Sequence, residues 1–460
     1  MARKVFIAVL GTGFYGACRY QKGDFISSET RFIQQATLEY LNNQHCLDEN
    51  EEKGKGKTEH FERLGLILLT KDARKKNWVE DNDNIKKDPS YKGLKEVLDG
   101  MDLKFPIKPI DIKNGNNEEE IWEIFNTLFN ELEPEDQLFF DLTHGFRYLP
   151  MLVLVLGNYA KFLKGVTVRH ISYGNYEAMD RTTMIAPLMD ILPLTILQDW
   201  TYAAADYLRN GKSDRFVELA KDYKVSIFQG TRTGDKTNAR LIESLAKNLK
   251  LTTEDFQTCR GPEILNGKHV SNLKRDLGGL KDISIKPLEP LTKKLEDAFN
   301  SFDSTEEKSN DLQFWNGFEA AKWCWDHQLY QQAAVILQEN VVSFLCHRNQ
   351  LDMYDKDQRS LVNVAFKYMP DLNNKDLSEE KKNEITNYTK KNPALKSLLA
   401  DSLINEKVLY DAFGCISTER NDINHNGMRK SPHGADVIRD NIKNAIDVFY
   451  DYFKANNIKR

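Results

Sequence analysis

The chain has 460 residues, too many for one ordinary hydrophobic core, so two or three domains are expected. With 40% hydrophobic and 29% charged residues it has the profile of a soluble globular protein, not of a disordered or membrane-embedded one. A formal net charge of −5 argues against a protein that coats nucleic acid nonspecifically, and leaves a local basic pocket open.

The first residues, Met1-Ala2-Arg3-Lys4 followed by VFIAVL, have the outline of a short signal peptide. The apolar run before Gly11 is only about six residues, below the roughly 7–15 of a signal core. The same residues make a good buried strand, 4–10, which is the preferred reading. No run approaches the roughly 18 apolar residues that cross a bilayer. The six cysteines (Cys18, Cys46, Cys259, Cys324, Cys346, Cys415) form no C-x-x-C pair. Neither a zinc site nor a disulfide framework is indicated, and a reducing cytoplasm is the default.

After the strand comes the glycine turn Gly11-Thr12-Gly13-Phe14-Tyr15-Gly16, and Ser28 is placed to cap a helix running to about residue 41. Residues 45–62 are charged and Gly/Lys-rich, most simply a solvated loop. Strands are expected at 65–70 and 107–112, and an amphipathic helix with an acidic first turn at 118–132. The apolar run 137–142 (QLFFDL) reads as a strand, and a largely buried helix follows from Phe146, with Pro150 tolerable only in its first turn. Further strands are expected at 166–173 and 182–188. Strands alternating with helices over about 190 residues imply a mostly parallel, doubly wound sheet.

Beyond Pro193 the periodicity is helical, interrupted near Gly261-Pro262 and Gly278-Gly279, with a polar boundary at 301–311. Residues 314–345 and 394–417 are strongly helical, 371–392 is nearly all polar and reads as a surface excursion, and 434–453 forms the last helix. The expected organisation is an α/β domain over 1–197, a helical linker or insertion over 198–310 and an all-α domain over 311–460.

Three stretches carry chemistry. Gly11-x-Gly13-x-x-Gly16 matches the dinucleotide fingerprint formally, but no helix start follows the third glycine and no acidic residue ends a second strand about 20 residues on. A nicotinamide enzyme is therefore a minor reading, and a flexible turn or a backbone cradle for phosphates is preferred. Thr143-His144-Gly145-x-Arg147 lies between a strand end and a helix start, where hydroxyl, imidazole, glycine N–H and guanidinium suit a phosphate or a base edge. The bland alternative is that His144 caps the helix and Arg147 pairs with Asp141.

The third stretch is Arg420-Asn421-Asp422-Ile423-Asn424-His425. It reads either as a polar loop between helices, with Arg420 on a neighbouring carboxylate, or as a metal-free ribonuclease site. In the second reading His425 serves the ribose 2′-OH, Arg420 the pentavalent phosphate, and Asn421 and Asn424 orient the scissile group. One such set is sparse for acid–base chemistry, so two chains meeting across a dimer axis would complete it.

Together these stretches resemble the CARF–HEPN ribonucleases that accompany type III CRISPR systems, of the Csx/Csm type. The resemblance rests on VLGTGFYG, on Ser28-Glu29-Thr30-Arg31-Phe32-Ile33-Gln34, on Leu69-Thr70-x-x-Ala73 with Asn77-Trp78, on Asp141-Leu142-Thr143-His144-Gly145-x-Arg147, and on Arg420-Asn421-x-x-x-His425. It implies a Rossmann-like sensor whose dimer binds a cyclic oligoadenylate, the four-membered ring in particular. Thr12, Gly13 and Tyr15 on one turn, Thr143, His144, Gly145 and Arg147 on the other, and Asn175 would line the pocket. It further implies a HEPN domain that cuts single-stranded RNA without metal or other cofactor, in a homodimer with further assembly left open and no membrane. The rival is a ligand-sensing regulator whose helical part binds nucleic acid or a protein and cuts nothing. Residues 198–310 carry no motif that the resemblance transfers.

Overall fold

The structure is a computed structural model and describes residues 2–53, 57–79, 83–144, 148–228, 235–280, 289–302 and 312–456. The chain divides into two compact units, Met1–Ile196 and Leu197–Arg460. The first is an α/β unit and the second is all helical among the described residues.

The centre of the first unit is β1 (Arg3–Leu10), buried from Lys4 onward. A nearly continuous apolar run of this kind is what a strand covered on both faces requires. Its side chains alternate. Val5, Ile7 and Val9 join one core with Leu156 of α5 (Leu149–Lys164), while Phe6, Ala8 and Leu10 join another with Leu38 of α1 (Ile33–Asn43). That period of two makes the unit doubly wound. The sheet order is β3-β2-β10-β9-β8-β1-β6-β7, where β2 is Arg19–Lys22, β3 Phe25–Ile26, β6 Glu62–Leu69, β7 Ile107–Asp111, β8 Gln137–Asp141, β9 Thr167–Gly174 and β10 Ile185–Asp190. The five strands from β7 to β9 are parallel, and β10 runs antiparallel to β9. Ala8 pairs with Asp141 and Asp141 with Ser172, so β1, β8 and β9 end side by side.

Helix α4 (Glu118–Glu131) is capped by Asn117, whose Oδ1 accepts from the Glu120 N–H. Pro150 lies in the first turn of α5, and Gly165 ends that helix in the left-handed conformation.

Three expectations fail here. Ser28 does not cap α1, which starts five residues later behind Phe32 with no side-chain cap. The residues before Ser28 pair as β2 and β3, Thr30 after it bridges to Cys18, and Ser28 N donates to Glu39 Oε2 at 2.8 Å. Residues 45–62 are not all loop: β4 (Asn50–Lys53) and β5 (Lys57–His60) form an antiparallel pair. Their polar sequence hides a hairpin held by backbone bonds. The last strand is shifted to Ile185–Asp190, because Met184 takes a positive φ of 54° at the end of the turn before it.

Helix α6 (Leu192–Asn210) runs across the division between the units. Then come α7 (Asp214–Phe228), α8 (Lys236–Gln257), α9 (Gly261–Asn266), α10 (Lys268–Gly279) and α11 (Glu289–Phe299). After them lie α12 (Leu312–Asp326), α13 (Tyr330–Arg348), α14 (Lys356–Leu372), α15 (Glu379–Lys391), α16 (Pro393–Ala400), α17 (Ser402–Asn405), α18 (Lys407–Asn424) and α19 (Ala435–Ala455). Helix α13 buries side chains around its whole circumference, as an axial helix must. The polar stretch 371–392 contains a true helix, α15: Ser378 caps it, Lys382–Glu379 and Lys381–Glu384 pairs lace it, and only Ile385 is buried. No helix of the described residues is long and apolar enough to cross a membrane.

Candidate functional site

The glycine turn leaves β1 at Leu10, beside the end of β6. There Thr70 caps the short helix α2 (Lys71–Ala73) by accepting from the Ala73 N–H, and the next turn (Arg74–Trp78) carries Asn77 inward. Asn77 is fully buried. Its Nδ2 donates to the carbonyls of Gly11 and Gly13, both at 2.8 Å, while its Oδ1 accepts from the Tyr91 hydroxyl and from Asn84 Nδ2. Arg31 Nη1 donates to the Tyr15 carbonyl at 3.0 Å and also pairs with Asp88. Thr12, Gly13 and Phe14 stay exposed on this pinned turn, and Phe14 stacks on Tyr91.

Tyr15 folds back over Gly11, where a Cβ would overlap its hydroxyl, and stacks on the His144 ring at 4.2 Å between centroids. The two turns therefore meet. Thr143 N donates to Asp141 Oδ1, and Thr143 Oγ1 accepts from the Gly174 N–H at 2.8 Å, which ties in the end of β9. Asn175 follows directly, but its Oδ1 accepts from Ala178 N at 3.3 Å and is engaged in a local turn. Burial pushes the His144 pKa down to about 4, so the ring is neutral near pH 7, and its buried Nε2 has no hydrogen-bond partner among the described residues. An unused imidazole nitrogen beside exposed backbone at parallel strand ends is an arrangement for receiving a ligand.

Two of the expected residues, Gly145 and Arg147, lie outside the described residues. An Arg147–Asp141 pair likewise lies outside the described residues, whereas the capping role read for His144 is corrected. Tyr148, not His144, stands at the cap of α5, and Asp141 accepts from Thr37 Oγ1 and Thr143 N. The dinucleotide reading also loses its ground: beyond Gly16 the chain enters β2, so no helix N-terminus opens at the third glycine. Asn77, Arg31 and Tyr91 were not expected to hold the turn, although Arg31 and Asn77 belong to the motifs that carry the resemblance.

In the second unit the Arg–His stretch is not a loop. Arg420, Asn421 and Asn424 lie on the last turns of α18, and His425 is its C-cap residue and exposed. Arg420 Nη1 reaches Glu339 Oε1 of α13 at 3.3 Å, Nη2 reaches Asn421 Oδ1 at 3.3 Å, and its buried Nε has no partner among the described residues. Glu339 also holds Arg359. Asn424 Oδ1 accepts from Gln331 Nε2 at 3.1 Å.

Behind this surface Glu419, nearly fully buried, accepts from His433 Nδ1 at 2.7 Å and from Asn441 Nδ2 at 2.8 Å. Asp422 Oδ2 accepts from the His433 N–H, and Arg429 Nε lies 3.2 Å from Asp422 Oδ1 without hydrogen-bond alignment. Glu419, Asp422 and His433 bring donor atoms within 4.8 Å of one another. Those contacts already hold the cluster as a pinned turn between α18 and α19. The sequence signal for Glu339 and Glu419 was present, as acidic residues on otherwise apolar helix faces, but not their partners.

Residues 5–177 match a family model described as "CRISPR system endoribonuclease Csx1, CARF domain". A CRISPR-associated protein of Methanocaldococcus jannaschii is 24% identical over 267 residues, an alignment covering 57% of this chain and 38% of that protein. Enterococcus italicus Csm6, solved bound to cyclic hexa-2′-fluoro-hexa-dAMP, superposes with a TM-score of 0.45 and 10% identity, covering 99% of this chain and 94% of that one. Most of the doubly wound sheet, with its two turns meeting beyond β1 and β8, thus falls within the residues that are similar to the CARF domain of CRISPR systems.

Proposed function

We propose that the chain is a CRISPR ancillary endoribonuclease that cuts single-stranded RNA without metal when its CARF domain binds a cyclic oligoadenylate. The observation that carries this reading is the presence, in one chain, of a CARF-like strand edge with a His144 nitrogen that has no partner among the described residues and of a helix end presenting Arg420 and His425. The pocket would be formed by Thr12, Gly13, Tyr15, Thr143 and His144, with Gly145, Arg147 and Asn175 completing it. The four-membered ring is the expected activator, and a homodimer matches the symmetry of a ring of repeating nucleotides.

Cleavage proceeds by 2′-OH attack on the adjacent phosphate. His425 accepts the 2′-OH proton, Arg420 stabilises the charge on the pentavalent phosphate, and the departing 5′-oxygen takes a proton from water, which leaves a 2′,3′-cyclic phosphate and a 5′-hydroxyl. Arg420 suits that part because its partly exposed guanidinium, at the end of α18, is positioned by 3.3 Å contacts to Glu339 and Asn421.

The test is cleavage of labelled RNA in EDTA across a panel of ring sizes. Arg420→Ala and His425→Ala are expected to remove cleavage while activator binding survives; cleavage persisting in both variants would remove the assignment. Arg147→Ala is expected to weaken activator binding by calorimetry. A second reading, a regulator that binds nucleic acid and cuts nothing, draws on the Arg420–Glu339 contact, which would then be purely structural. The same EDTA assay separates the two.

A further inference from the structure

The second unit contains a cavity of about 320 Å³ bounded by α9, α12, α13 and the start of α14. Ile264 and Ile336 form apolar walls, Asn340 lies in the interior, and Glu339, Arg359 and Tyr354 stand around it. Glu339 is the same residue that holds Arg420. The cavity therefore adjoins the guanidinium assigned to the scissile phosphate.

Three features define what would fit. First, Asn340 is 4% exposed, and its Nδ2 donates to the Phe314 carbonyl at 2.9 Å, which fixes the orientation of the amide. Its Oδ1 is then a buried acceptor with no partner among the described residues, and a donor from an occupant would satisfy it. Gly317 makes room for this amide, since a Cβ there would overlap it.

Second, the positive charge of Arg359 is already engaged. Nη1 donates to Ser343 Oγ and the Met353 carbonyl, and Nη2 is held by Glu339. With the Glu339 carboxylate beside it, the cavity does not favour a second phosphate. It favours a neutral, planar group whose amino nitrogen offers two N–H donors to Asn340 Oδ1 and the Glu339 carboxylate, whereas the single N3–H of uracil is flanked by two carbonyls that the carboxylate repels. Third, Tyr354 is 71% exposed, an aromatic face free for stacking.

We propose that this cavity is a nucleobase subsite, taking the base next to the bond that Arg420 and His425 cut and preferring bases with an exocyclic amino group over uracil. The proposal rests on the nuclease reading for its neighbour, but not for the binding itself. Apolar walls, a stacking ring and an unsatisfied acceptor are the features with which proteins hold unstacked RNA bases.

The test uses the full chain and two free mononucleotides, CMP and UMP, observed by saturation-transfer NMR, since neither is an adenylate that the CARF domain would read. CMP is expected to bind about tenfold more tightly than UMP, and Tyr354→Ala to weaken CMP about tenfold, the size of one lost base stack. CMP binding is expected to persist in Arg420→Ala, and filling the cavity with Ile336→Trp to abolish it. Mapped cut sites should show the same preference for cytosine over uracil beside the bond, lost in Tyr354→Ala. Equal affinity for CMP and UMP, or CMP binding indifferent to Tyr354→Ala and Ile336→Trp, would overturn the proposal. CMP binding with no RNA cleavage under any activator would instead refute the nuclease reading and leave the base site standing.

Discussion

Asn77 shows how much a single buried amide can organise. It holds two carbonyls of the glycine turn, a tyrosine hydroxyl and a second amide. Asn77→Ala leaves those groups unpaired, which should cost roughly 1–3 kcal/mol of stability in chemical denaturation. It should also weaken activator binding, because the turn loses its backing. His144 makes a pH prediction. Its pKa in the fold is about 4, below the ordinary 6.5, so the folded state favours the neutral ring. Between those values the unfolded chain takes up a proton that the folded chain refuses. Stability is therefore lost as the pH falls from about 6.5 toward 4. His170, also pushed down to about 4 by burial, acts with the same sign. His144→Phe keeps a ring against Tyr15, and its melting temperature should fall less between pH 7 and 4.5 than that of the unaltered chain.

Elements position these residues, and their packing can be probed separately. Helix α5 covers one face of the sheet through Val153, Leu156 and Ala160. Leu156 is fully buried, so Leu156→Ala should destabilise the first unit by about 2–5 kcal/mol, read as a lower denaturant midpoint. The end of α18 depends on Glu419, which pins His433 and Asn441. Glu419→Ala should reduce stability by roughly 1–3 kcal/mol and disorder the turn after His425, seen as faster amide exchange over 426–434. The elements with strong apolar patterns, β1, β8, α4 and α5, were legible in the sequence to within a few residues. The β4–β5 pair and α15 were not, because backbone hydrogen bonds, a serine cap and surface ion pairs hold them without an apolar face to announce them.

For the whole molecule the proposed function requires the two units to be coupled. A hundredfold activation by a cyclic oligoadenylate corresponds to about 2.7 kcal/mol of differential binding between idle and cutting states. By reciprocity, bound RNA should tighten activator binding by whatever factor the activator adds to RNA affinity, and calorimetry with the cleavage-dead His425→Ala chain can measure both. If two Arg–His sets complete one site, specific activity should fall on dilution as dimers dissociate. Activity per chain that stays constant down to the lowest concentrations would argue for a complete site within one chain.

The sequence by itself determined the class of fold, the parallel sheet followed by helices, and singled out three short stretches as candidates for chemistry. Each is written locally, in apolar runs, glycines and a proline whose effects reach only a few neighbours. Only the tertiary structure decided that Tyr15 lies on His144, that Asn77 backs the glycine turn, and that Glu339 joins Arg420 to Arg359 beside a cavity. These contacts link residues up to 129 positions apart, and a hydrogen bond or ring stack at that separation depends on how whole elements pack, which no local pattern of residues encodes.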